Sequence, residues 1–298
     1  MWILALLAAC SSAPDEPLPY VYDDVDETTP ALALTELEAA IEGFFSVIFT
    51  ITAQPLADAY WELAADQDAY CPPQYTEDGN TYWFGECTTE GGTTYSGYAF
   101  AQEYADVAEG EYVYEGAAIF GVFDLVGANG ETLTGGGEAS WVNAVYTGDD
   151  TAHTTHQNNV SGTFYWDAPR AADSWLSGEV NPDILMVANY IPEFNGGRIQ
   201  MSGGVSGLGA PADTVVVDEL VMVHPDITAC GIEPAGVMGV RAADGNWFDV
   251  VFDGTTEFGG EIDPETCDGC GGVYWRGSYL GDVCPDFSAL SEWENTPW

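Results

Sequence analysis

From Thr81 onward the chain is written almost entirely as runs of Tyr, Trp, Val and Thr, broken by clusters of Gly, Asn and Asp. Such runs fit a pleated, half-buried surface, and the breaks between them carry turn chemistry. The pattern predicts strands near 81–87, 93–104, 112–125, 132–146, 159–166, 176–190, 197–207, 214–223, 236–242, 247–253 and 273–280. Consecutive runs are separated by short turn signals, which makes an antiparallel meander the natural topology. Many runs hold internal glycines, among them Gly97, Gly121, Gly135, Gly136, Gly137, Gly162 and Gly203. Glycine weakens a strand unless the sheet bends there or a large side chain covers it. A strongly curved sheet is therefore expected. No fixed-length repeat is present, which disfavours a propeller or solenoid.

Something must fill the hollow of that curve. Leu34, Leu37, Ile41, Phe44, Phe45, Ile48 and Ile51 recur at helical spacing, with Glu36, Glu38 and Glu42 off the stripe. Thr29-Pro30 offers a start, and Thr35 to Glu38 offers a capping box as the alternative. Pro55 then ends or kinks this helix, and Leu56, Ala59, Tyr60 and Leu63 suggest a shorter second one. A membrane-surface helix would carry basic residues on its polar face. Glutamates stand there instead, so the stripe is expected to pack on the sheet. The fold class that follows is mainly β: a large curved antiparallel meander on an N-terminal helix. At Asn129-Gly130 a two-residue hairpin turn is expected, placing Phe123 opposite Gly136 and Ala118 opposite Trp141.

Charge narrows the partners. Against 49 acidic residues the chain has 4 basic ones, all arginine, for a net charge of −45. Such a surface repels phosphate backbones, so no nucleic-acid partner is expected, and it gathers cations loosely. The simplest cause is adaptation to salty surroundings, where screening shortens self-repulsion. Strand acids such as Glu103, Glu115, Glu138, Asp218, Glu219 and Asp249 count against a membrane-spanning barrel.

The run Trp2 to Ala9 is apolar but far shorter than the ~20 residues that a spanning helix needs. It fits the apolar core of a signal peptide. Leu7-Ala8-Ala9-Cys10 resembles the lipobox of bacterial lipoproteins, although no Lys or Arg precedes the run. The resemblance covers only about the first dozen residues. It implies a signal peptide over 1–9, lipidation of Cys10, and attachment to a membrane through that anchor. Ser11 resembles the signal for sorting to the outer membrane. Residues 10–29 then read as a lipidated cysteine on an acidic, extended tether. Residues 30–228 read as helix plus sheet, and 229–298 as a Cys-rich C-terminal β segment that can continue the same sheet.

Export implies oxidation. Beyond Cys10 the cysteines are Cys71, Cys87, Cys230, Cys267, Cys270 and Cys284, an even set that reads as a disulfide framework. Cys71 and Cys87 flank one excursion, and closing a loop of ~15 residues is worth roughly 3 kcal/mol. Cys267-Asp-Gly-Cys270-Gly271 resembles a zinc knuckle, but a second knuckle is missing, so two disulfides and no metal are expected. A Cys267–Cys270 bond would close almost no chain, which favours longer bridges from Cys230 and Cys284 to this pair.

Catalytic signals are faint. His153 and His156 fall in a polar segment read as an exposed loop, and His224 stands before Pro225 with no evident partner. Asp78-Gly-Asn80 and Asp244-Gly-Asn246 read as ordinary turns. No motif for metalloprotease, phosphate or nucleophile-elbow chemistry occurs, and no cofactor or catalytic residue is indicated. Phe164-Tyr-Trp166 and Tyr274-Trp275 are aromatic enough to stack on sugars or peptides, though such clusters are more often core. The expectation is a lipid-anchored envelope protein acting as a non-enzymatic binding or structural module. A carrier of apolar molecules and a carboxylate-based hydrolase are the alternatives, since a glycosidase needs only two placed acids.

Overall fold

The computed structural model describes residues 31–77, 80–148, 153–191, 196–225, 233–256 and 267–288. The expectations that rest on Cys10, the tether, the start at Thr29-Pro30, the Asp78-Gly turn and Cys230 lie outside these residues, as does the His224 side chain. Two helices come first, α1 (Leu34–Ile48) and α2 (Ala53–Ala64). Thirteen strands follow: β1 (Gln74–Glu77), β2 (Asn80–Thr88), β3 (Thr94–Glu109), β4 (Tyr112–Val126), β5 (Thr132–Tyr146), β6 (Thr154–Asp167) and β7 (Asn181–Ile191). The remainder are β8 (Gly196–Ser206), β9 (Ala212–Pro225), β10 (Ala235–Ala242), β11 (Trp247–Asp253), β12 (Gly271–Trp275) and β13 (Ser278–Val283). They form one curved antiparallel sheet in which spatial order equals chain order, β1 to β13. The strands of the Cys-rich C-terminal segment, β10–β13, pair in that same sheet.

Both helices lie on one face of the sheet, the inner one. Helix α2 packs on β4, β5 and β6, and α1 packs on β9, β10 and β13. Leu37, Ile41, Phe44, Phe45 and Ile48 of the apolar stripe are buried, as are Leu56, Ala59, Tyr60 and Leu63 of α2. Glu36 reaches back to the Ala33 N–H at 2.8 Å and closes half a capping box. Ala33 has no side-chain acceptor, so the other half is missing, and the helix starts at this half box and not at the full one expected from Thr35 to Glu38.

Polar contacts fix the helices at their ends. Between them, buried Asn158 of β6 accepts the Ala53 N–H at 2.7 Å and donates to the Ile51 carbonyl at 3.3 Å. Trp175 Nε1 donates to the Thr52 carbonyl at 3.0 Å. On α1, Glu38 and Glu42 accept the backbone N–H groups of Cys284 and Asp286 at 3.2 and 3.0 Å. Phe287 then docks between Phe45 and Phe252, with ring centroids 5.5 and 5.2 Å apart.

The glycines explain the curvature. Gly121 of β4 lies opposite Gly137 of β5, which lies opposite Gly162 of β6, all on the inner face. A Cβ on Gly137 would come within 2.0 Å of the Ser161 carbonyl oxygen, and one on Gly162 within 2.3 Å of that of Gly136. Where a sheet closes inward its inner Cβ atoms collide, and glycine removes them.

Several local expectations are corrected. The β4–β5 connection is a three-residue loop, Ala128-Asn129-Gly130: Gly127 N–H bonds to the Glu131 carbonyl, and Gly130 takes a φ of +91°. The register therefore moves by one, so Phe123 faces Gly135 and Ala118 faces Ser140, while Trp141 faces Ala117. The Phe123 ring still lies over a glycine, within 2.5 Å of where a Gly135 Cβ would stand. The span 273–280 is not one strand but a hairpin, turned at Arg276-Gly277 with φ of +49° and +75°. The span 176–190 begins with a short 3-10 turn, Trp175–Ser177, before β7. His156 belongs to β6 and not to a loop.

Candidate functional site

Strand alternation sorts the first half of the sheet into two faces. Trp83, Tyr95, Ala99, Ile119 and Phe123 point inward and are buried. The residues between them point outward, and here the outward set is aromatic as well. In register, Tyr82 lies opposite Phe100, which lies opposite Phe120; Phe84 lies opposite Tyr98, which lies opposite Val122. Tyr75 of β1 completes the ladder, stacked on Tyr82 at 5.1 Å and edge-on to Phe84 at 5.4 Å. Tyr82 and Phe100 ring centroids are 5.2 Å apart, and those of Tyr98 and Phe120 are 6.2 Å apart. Five of these side chains are open to solvent: Tyr75 42%, Phe84 53%, Tyr98 42%, Phe120 46% and Val122 56% exposed. Cross-strand ring pairs stabilise a sheet by ~0.2–1 kcal/mol each. Here the exposed apolar side chains run contiguously across four strands.

Carboxylates rim the ladder. Exposed Glu86, Asp124 and Glu138 sit on the same outer face, Glu138 directly across from Phe120. Thr134 donates to Asp124 at 2.7 Å, which holds that carboxylate in place. No lysine or arginine occurs between residues 74 and 167.

Beneath the ladder the sheet is firmly seated. Trp83 Nε1 donates to the Tyr60 hydroxyl of α2 at 2.8 Å, and Tyr60 packs edge-on against Phe123 at 5.7 Å. Burial pushes the Tyr60 hydroxyl up to about 12, partly offset by the bond from Trp83. A disulfide joins Cys71 to Cys87, tying the segment before β1 to β2. Asp66, just beyond α2, accepts the Thr89 hydroxyl at 2.5 Å and the Thr93 N–H at 3.2 Å; Asp68 accepts the N–H groups of Tyr70 and Glu90. These bonds lower both aspartates below the usual carboxylate range.

The residues singled out from sequence are dispersed over the fold. Cys270 pairs with Cys284, and Cys267 is also disulfide-bonded. With Cys270 and Cys284 joined, the four-thiolate set of a zinc knuckle cannot assemble. Phe164 and Trp166 face inward as core, leaving Tyr165 exposed. Near the end of β4–β6, Glu115, Asn143 and His156 stand in register on the inner face; Asn143 donates to Glu115 at 2.9 Å and its oxygen meets His156 Nδ1. Burial pushes the His156 imidazole down, against the pull of Glu115. His153 is on the other face, stacked on Tyr146 at 4.9 Å, so the two histidines do not converge. A cleft of about 330 Å³ at the end of α2 is lined by Glu62, Asp66, Glu131 and Trp166. Two of its three acids already have work: Glu62 pairs with Arg170, and Asp66 clasps the β2–β3 turn.

Compared with known proteins, the chain matches no family model, no curated protein sequence and no solved structure. The ladder itself was not singled out from sequence. Its signal was present: Tyr82/Phe84, Tyr98/Phe100 and Phe120/Val122 are large apolar pairs two apart, in strands whose alternate positions are also apolar. Such a strand is greasy on both faces, which a half-solvated meander does not require.

Proposed function

We propose that the chain is a lipid-anchored cell-envelope protein that works as a non-enzymatic binding module through the outer face of β1–β4. The observation that carries the reading is the exposed ladder of Tyr75, Phe84, Tyr98, Phe120 and Val122 on a rigidly backed sheet. Preorganised aromatic surface binds at low entropic cost, because few rotatable bonds are frozen. The inner face is occupied by packing side chains such as Phe44, Phe45, Phe123 and Phe164, which speaks for a display surface over an interior carrier. The engagement of Glu62 and Asp66, two of the three acids in the cleft, speaks for structure over hydrolysis.

The address rests on the lipobox resemblance at Leu7 to Cys10 and the acidic segment behind it, which together suggest an outer-membrane anchor with the sheet held off the bilayer. Intact-mass analysis of protein from the host's membranes tests this. The mature chain should begin at Cys10 with added acyl mass, and a Cys10→Ala variant should leave the membrane fraction. An unmodified chain in the soluble fraction would refute the anchor and leave the binding face standing.

A further inference from the structure

We infer that the outer face of β1–β4 takes a cationic partner: a lysine- or arginine-bearing polypeptide segment with apolar side chains between its charges. This rests on the reading of that face as a binding surface and adds the partner's chemistry. The rings supply apolar area and electron-rich faces, which attract ammonium and guanidinium groups. Glu86, Asp124 and Glu138 stand on the same face, and opposite charges at a rim steer encounter and fix register. With no lysine or arginine from residue 74 to 167, this half of the sheet offers an anionic partner no counter-charge.

The same charges argue against other occupants. A second copy would bring another net −45 against this face. The chain's own segment from Ser11 to Thr29 carries Asp15, Glu16, Asp23, Asp24, Asp26 and Glu27 and no basic residue. Nucleic acid and anionic lipid are repelled in the same way. A neutral glycan stacks on rings without needing carboxylates around them, and is the competing class that the experiment must separate.

Any polycation will drift into the field of so acidic a protein, so the test must hold charge fixed while changing the rings. The probes are a synthetic amphipathic lysine–leucine peptide, its glutamate–leucine counterpart, and neutral cellohexaose and chitohexaose. Binding is followed by titration across a salt series, for the wild-type chain and three variants. Phe84→Ser/Tyr98→Ser/Phe120→Ser removes rings at constant charge. Glu86→Gln/Asp124→Asn/Glu138→Gln removes charge with the rings kept. Val251→Ser/Tyr279→Ser alters exposed apolar residues elsewhere on the sheet.

The lysine peptide is expected to bind at physiological salt. It should weaken at least tenfold with the ring variant and several-fold with the charge variant, and stay unchanged with the distant one. The glutamate peptide should not bind. Lysine-peptide binding that ignores the ring variant would overturn the inference, since a diffuse field would then account for it. Sugar binding lost in the ring variant, with no peptide bound, would keep the face and overturn the cationic partner. If no probe senses the rings, both readings fall. Should the ring variant fold poorly by circular dichroism, a photo-crosslinking lysine peptide on the unaltered chain decides. Crosslinks should fall on β1–β4, and crosslinks spread over the whole sheet would overturn the inference.

Discussion

The two ends of the sheet are built on one plan and finished differently. Toward the N-terminal end the inner face rests on α2 through β4, β5 and β6, and toward the C-terminal end it rests on α1 through β9, β10 and β13. Each inner face is a conventional apolar layer: Ile119, Phe123 and Leu125 in one, Val240, Phe248 and Val250 in the other. The outer faces diverge. Toward the C-terminus the outward positions mix charged residues, Asp218, Arg241, Asp249 and Asp253, with apolar ones, Val216, Val237, Trp247, Val251, Tyr274 and Tyr279. Toward the N-terminus the same positions hold a continuous ladder of rings. The C-terminal end thus carries outer rings as well, but they are interleaved with Arg241 and Asp249, whereas the N-terminal ladder runs across four strands with its carboxylates only at the rim.

The largest expected effect breaks or sharpens that contrast at neighbouring positions of one strand. Phe123→Ala opens a cavity against Tyr60 and should cost about 3–5 kcal/mol. Phe120→Ser, on the opposite face of β4, should cost less than about 1 kcal/mol. Denaturant unfolding of both variants measures the difference. Equal losses would make the outer rings part of the core and dissolve the argument for display.

The disulfides give the next comparison. Their sequence separations are 16 for Cys71–Cys87 and 14 for Cys270–Cys284. Chain entropy therefore assigns each about 3 kcal/mol, equal within ~0.2 kcal/mol. Cys71 is only 3% exposed, so replacing that pair with serine also buries a hydroxyl and should be the more damaging change. A larger loss for the C-terminal pair would mean that β12 and β13 depend on their staple more than the aromatic end does.

Acid titration should separate the ends by sign, with the smallest effect. Asp66 and Asp68, clasping the β2–β3 turn, are held below the usual carboxylate range by the hydrogen bonds they accept. Their contribution is present above that range and lost as pH falls through it and below. Glu233, fully buried beside β11, is shifted the other way by burial and by the neighbouring Asp253 carboxyl, against the N–H groups of Gly269 and Asp253 that it accepts. Its contribution is present in acid and lost as pH rises through the usual range and above it. Thermal melts from about pH 3 to pH 7 should show Asp66→Asn most harmful at the upper end and less so at the lower. Relative to wild type, Glu233→Gln should fare better at the upper end than at the lower. Parallel curves for either variant would contradict the assignment.

Most of the meander was legible because alternation and turn residues act locally. The strands near 112–125 and 132–146 were placed to within a residue, and the helix stripe from Leu37 to Ile48 is the face that packs. What failed was geometry that several residues decide together. Asn129-Gly130 looks like a two-residue turn, yet Ala128 joins the loop so that Gly130 alone takes positive φ, and the register moves with it. Trp275-Arg-Gly-Ser278 lacks the usual turn residue before its glycine, so the last hairpin read as one strand. The site was missed for a different reason. Phe164-Tyr-Trp166 is conspicuous in sequence but two of its rings are core, whereas the ladder gathers residues from four strands. Only the register brings them together.

Hydroxyl-radical footprinting of the unaltered chain, with and without the lysine–leucine peptide, tests the central claim most directly. Free, the rings of Phe84, Tyr98 and Phe120 should oxidise readily, as should Tyr279, while Phe123 and Phe248 stay protected. With peptide, protection should appear at Tyr75, Phe84, Tyr98 and Phe120 and leave Tyr279 unchanged. Protection that falls equally on Tyr279, or that misses the ladder, would contradict the account.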